Sequence, residues 1–203
     1  MPPKEGTIAA WNYPPTAFAA TEVAANSGAL MAGAKIEFAY ASGAKGNLGH
    51  ASRAAINVPN NAGGWFPGTQ AAPDAITAES SGGWIITLST TGYEDIVFSA
   101  DQSSSNNGPR DFKLAYRIGT TGTWTVFDGD GEVTVLGDSG DMGQTFNNVA
   151  LPTAVNDQAL VQIKVWVATN ARRSDGGTTS PDSLDPAGGN TSINKVVFVG
   201  EEL

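Results

Sequence analysis

Two short stretches of this chain put groups capable of chemistry on one side of a strand pattern. In "LVQIKVWVAT", residues 160–169, Val161, Ile163, Val165 and Val167 alternate with Gln162, Lys164, Trp166 and Ala168. In "RDFKLAYR", residues 110–117, Phe112, Leu114 and Tyr116 alternate with Asp111, Lys113, Ala115 and Arg117. Successive side chains of a strand point to opposite faces. Each stretch therefore offers one apolar side to a core and one side bearing cations, an amide or an indole. A flat indole covers the C–H face of a sugar ring, while Lys, Arg and Gln donate hydrogen bonds to its hydroxyls. Trp166, Lys164, Gln162, Lys113 and Arg117 are the candidate ligand-binding residues on this reasoning. Trp65, in the loop "AGGWFPG", joins them as either a ligand platform or a tucked anchor. Trp166 keeps two readings. It is an exposed platform, or it packs beneath a long loop while Lys164 extends its ammonium to water. Trp11, Trp84 and Trp124 fall within strand patterns and are expected in the core.

Other chemistries find less support. His50 is the sole histidine, so a Ser-His-Asp triad would have to use it, and no G-x-S-x-G elbow is present. The absence of cysteine excludes thiol catalysis, disulfides and cysteine-ligated zinc. Glu94, Asp95, Asp101 and Asp111 lie near strand ends, where a paired-carboxylate glycosidase site would need two acids across a cleft. They read instead as solvated loop acids and turn formers. In "FDGDGEVTV", Asp128, Asp130 and Glu132 have the alternate spacing of a calcium loop. Val133 stands where an EF-hand needs Gly, and Ser139 where it needs Glu, so the Asp-Gly pair is read as a hairpin turn. "GNLGHASRAA" and "SSGGW" match neither phosphate-binding pattern. No catalytic grouping emerges, and the chain is not expected to be an enzyme.

Composition narrows the class. Of 203 residues, 40% are hydrophobic, 15% are charged and 25 are Gly. This low-charge, turn-rich balance fits an all-β extracellular protein. The net charge of −9, with no basic stretch, argues against a nucleic-acid partner. No apolar run approaches the ~18–20 residues of a membrane span, so no membrane insertion is expected. "MPPKEGTIAAW" lacks the apolar core of a signal peptide. That start and the abrupt end "VVFVGEEL" read as cuts around a module taken from a longer chain.

The elements that must position the candidates are strands. β-branched and aromatic enrichment with Gly, Asn and Asp punctuation predicts them over 7–11, 35–40, 84–90, 95–100, 111–118, 124–127, 132–136, 145–149, 160–169 and 193–199. The Ala-rich "AFAATEVAANSGALMAGAK" reads as irregular or a weak short helix. Residues 41–83 and "NARRSDGGTTSPDSLDPAGGN" read as long loops. With no repeat and no linker, residues 1–203 are expected to form a single domain. The expected fold is an all-β, two-sheet antiparallel β-sandwich (jelly roll) with long loops. Phe98, Leu114, Tyr116, Ile163, Val165 and Val197 are expected between the sheets.

"GTIAAWNY", the run "WIITLSTTGYEDIVFSADQSSSNNGPRDFKLAYRIGTTGTWTVF", and "LVQIKVWV" followed by "NTSINKVVFVG" resemble bacterial secreted jelly-roll domains similar to carbohydrate-binding modules. Gln102 stands where such domains often carry a basic residue, and Asn194 where an Asp often precedes the last apolar run. The resemblance implies a non-catalytic, secreted or cell-surface module that binds a polysaccharide and is monomeric in isolation. It also brings in a structural calcium as an option, without naming ligands. The alternative is a structural or adhesive domain of a bacterial cell-surface protein with no small ligand.

Overall fold

The computed structural model describes residues 4–12, 19–51, 55–58, 64–66, 76–127, 131–135, 144–173 and 188–203. Fourteen strands among them form two antiparallel sheets packed together. In chain order they are β1 (Glu5–Ala10), β2 (Ala19–Ala20), β3 (Glu22–Ala24), β4 (Lys35–Ala39), β5 (Leu48–Ala51), β6 (Ala55–Val58) and β7 (Gly83–Leu88). There follow β8 (Tyr93–Ser104), β9 (Asp111–Ile118), β10 (Thr125–Val126), β11 (Glu132–Thr134), β12 (Gln144–Ala150), β13 (Val161–Val167) and β14 (Thr191–Glu202). One 3₁₀ turn spans Thr153–Val155. No described helix is long and apolar enough to cross a membrane.

The first sheet runs β12-β8-β14-β6-β5-β2, with β1 also paired to β14; the second runs β10-β9-β13-β7-β4-β3, with β11 also paired to β9. The alternation that predicted these strands also builds the core. Phe112 and Leu114 of β9, Ile163 and Val165 of β13, and Trp84 and Ile86 of β7 are almost wholly buried. From the first sheet, Phe98 packs on Phe198 and Phe146, with ring centroids 5.0 and 5.7 Å away. Phe38 meets Trp84 edge to face at 4.9 Å. Such offset and T-shaped pairs suit the aromatic quadrupole.

The structure corrects five expectations of detail. Val197 is half-buried; Val196 and Phe198 face the core instead. Lys195 adopts a left-handed backbone at φ 47, and the β14–β8 register shifts between Asn194 and Val197. The extra residue of such a bulge turns every later side chain to the other face. The Asn194 side-chain oxygen accepts from the Lys195 N–H at 2.7 Å, which helps hold the bulge. Tyr116 is likewise half-buried rather than enclosed, its ring edge-on to Phe127 at 5.6 Å. The Ala-rich stretch holds the short strands β2 and β3, and the expected loop 41–83 contains β5 and β6. Finally, Trp124 is half-buried and not in the core.

Candidate functional site

The polar face of the second sheet is built from three rungs across β9, β13 and β7. Lys113, Trp166 and Gly83 form one, Ala115, Lys164 and Ile85 the next, and Arg117, Gln162 and Thr87 the third. The alternation thus places Lys113, Arg117, Gln162, Lys164 and Trp166 on one face, as the sequence implies. Gly83 is required beside Trp166, because a Cβ there would lie 2.5 Å from the Val165 carbonyl oxygen and 2.8 Å from the Trp166 Cα.

That face is not open along its length. Residues 76–82 lie over β13. Lys164 Nζ donates to the carbonyl oxygens of Ala78 and Ser81, at 2.5 and 2.7 Å. Ser81 Oγ donates to the Val167 carbonyl, and the Val167 N–H to that of Gly82. Trp166, Lys164 and Gln162 are therefore buried, at 5%, 4% and 6% exposure. The indole N–H of Trp166 has no hydrogen-bond partner among the described residues. This ring packs in the core cluster and offers no platform. Trp65 is a tucked anchor of the same kind. It is buried, donates its N–H to the Gly188 carbonyl at 2.7 Å, and stands edge-on to Phe38 at 5.6 Å.

The third rung is a chain of hydrogen bonds. Arg117 Nε donates to Gln162 Oε1 at 2.8 Å, and Gln162 Nε2 to Thr87 Oγ1 at 2.9 Å. The Arg117 guanidinium stacks over the Trp124 ring at 4.3 Å, with Lys164 Nζ 5.6 Å from the same ring. The Trp124 backbone N–H donates to Glu79 Oε1 at 2.8 Å, which ties the 76–82 segment to the residue before β10 as well. Burial pushes the Lys164 ammonium down to about 8; the Glu79 charge opposes this and the Arg117 charge adds to it.

Open space remains at the other end of the face. A cleft of about 290 Å³ lies where β9, β11 and the end of β13 meet, lined by Arg110, Asp111, Lys113, Glu132, Thr134 and Thr169 over Phe112, Val133 and Ala168. Its polar groups are ordered. Arg110 grips Asp111 with two parallel bonds of 2.9 Å, and Thr169 Oγ1 donates to the same carboxylate. Lys113 pairs with Glu132 across β9 and β11. Burial pushes the Asp111 carboxyl up, but hydrogen bonds from Arg110, Thr169 and Thr134 with the Arg110 charge outweigh it and hold the carboxyl below its ordinary value.

Two carboxylates thus line one cleft, yet Asp111 is ill-suited to acid catalysis. A glycosidase acid needs a raised pKa to stay protonated; Asp111 is shifted the other way and its oxygens are occupied. What the cleft can do is hold polar ligands by alternating donors and acceptors. Of the candidate ligand-binding residues, only Lys113 lines it. Sequence reasoning does not point to Arg110, Thr134 or Thr169, and it assigns Asp111 to the solvated loop acids and Glu132 to a hairpin turn. Asp128, Asp130 and Ser139 lie outside the described residues. Among the described residues no group of three or more His, Asp or Glu is placed to hold a metal ion. Gln102 is buried and donates to Thr191 Oγ1 at 2.6 Å.

No family model matches this chain, and no curated protein matches it.

Proposed function

We propose that this protein is a non-catalytic, extracellular carbohydrate-binding module of jelly-roll form, secreted or displayed at a cell surface, which holds a polysaccharide at the β9–β11–β13 cleft. The observation that carries this reading is the cleft itself. It places Lys113, Glu132 and Thr134 together on strands, with Thr169 two residues past the end of β13. Sites on strands hold geometry better than sites on loops. Two packed antiparallel sheets are compatible with a jelly roll. The low-charge, Gly-rich composition supports an extracellular setting. The engagement of both Asp111 oxygens by Arg110, with Thr169 on the same carboxylate, supports a structural role for that group. A glycan-array screen of the protein, with and without calcium, tests the reading. Glycan binding weakened about tenfold by Lys113→Ala supports it; no retained glycan under either condition overturns it.

A second reading has one specific observation in its favour. The burial of Trp166 and Trp65 removes the aromatic platform that a planar sugar face would use. A structural or adhesive domain with no small ligand needs no such platform. Binding to no glycan, together with a large loss of stability in Trp166→Ala, would select this reading.

A further inference from the structure

We infer that the β9–β11–β13 cleft selects a neutral, hydroxyl-rich ligand over one bearing carboxylate or sulfate groups. The inference rests on the carbohydrate-binding reading and names the ligand class within it.

The charges of the cleft cancel in pairs. The Arg110 fork is taken by both oxygens of Asp111, and Arg110 is only 5% exposed. The Lys113 ammonium is taken by Glu132. An incoming anion would therefore find no unmatched cation, and it would sit beside two carboxylates already in place. A further negative charge brought there is repelled by both carboxylates. The field of the whole chain points the same way, since its net charge is −9, and a polyanion is repelled before it arrives.

The groups that remain suit hydroxyls. An ammonium carries three donors, and a carboxylate only acceptors. Lys113 directs one interaction to Glu132, and Glu132 is 59% exposed. The hydroxyls of Thr134 and Thr169 spend their single protons on Asp111, which leaves their oxygens as acceptors for a ligand hydroxyl. A sugar hydroxyl accepts from Lys113 and donates to Glu132 without upsetting the charge balance. A carboxylate only accepts, and adds a third negative charge.

The test is an array carrying neutral hexose polymers, uronate polymers, their carboxyl-reduced counterparts and sulfated glycans, read at low and high salt. Retention confined to neutral and carboxyl-reduced polymers, changing less than about twofold with salt and falling about tenfold in Lys113→Ala, is expected. Glu132→Gln, which leaves Lys113 without its carboxylate, is expected to admit uronate polymers. Retention of uronate or sulfated polymers by the unaltered protein, lost at high salt, overturns the charge selectivity while leaving glycan binding intact. Retention of nothing overturns the carbohydrate reading and this inference with it.

Discussion

Lys164 Nζ lies 2.7 Å from the carbonyl oxygen of Ser81, and this bond fastens residues 76–82 over the polar face of the second sheet. Because of it, a face patterned like a ligand platform is largely interior. Stability and the proposed binding therefore fall at different ends of the same strands.

Trp166 belongs to the stability end. Replacing it with Ala should cost about 3–5 kcal/mol, the penalty of emptying an enclosed aromatic site. Urea denaturation measures this directly. A change below about 0.5 kcal/mol would mean the ring stands free of packing.

Lys164 gives a pH signature. Its folded value of about 8 lies below the ordinary 10.5. Between those values the unfolded chain binds more protons, so stability rises with pH there. The buried charge costs stability below pH 8, and the cost is relieved as pH climbs from 8 to 10.5. The two-and-a-half-unit window corresponds to about 3 kcal/mol at most. Subtracting the stability of Lys164→Met at each pH isolates it. A flat difference across that window would contradict the burial of the ammonium.

Asp111 acts in the opposite direction. Its carboxyl is held below the ordinary 3.8, so its contribution is present above that value and lost as pH falls through the folded one. Asp111→Asn should flatten the acid limb of the stability profile. Arg110→Met leaves the carboxylate unmatched and should destabilise at neutral pH by about 3 kcal/mol. An unchanged acid limb in Asp111→Asn would show the pair to be energetically idle.

The bulge at Lys195 is tested by neighbouring valines. Val196→Ala should cost about 2 kcal/mol, and Val197→Ala clearly less, because only the former faces the core. The reverse order would restore the unbulged register.

How much of this was legible depends on how local each feature is. β9 was readable to its ends, Asp111 to Ile118, because alternation over eight residues is a strong periodic signal. β2 and β3 were not. They are two and three residues long and Ala-rich, and what makes them strands is pairing to β5 and β4. Val197 was misplaced because one left-handed residue at Lys195 reversed the alternation. The side of Trp166 is legible in the sequence, and the choice between its two readings, open platform or loop-covered ring, is not, since Ala78 and Ser81 are more than 80 residues from Lys164 in the chain. The cleft was least visible of all. Arg110, Glu132 and Thr169 come from segments whose convergence depends on the pairing of β11 and β13 with β9.

The most direct measurement is amide chemical-shift mapping while a neutral oligosaccharide identified on the array is titrated in. The account predicts shifts centred on Lys113, Glu132, Thr134 and Thr169, with the amides of Trp65 and Gln162 unmoved. Shifts centred elsewhere, or none at all at saturating oligosaccharide, would contradict it.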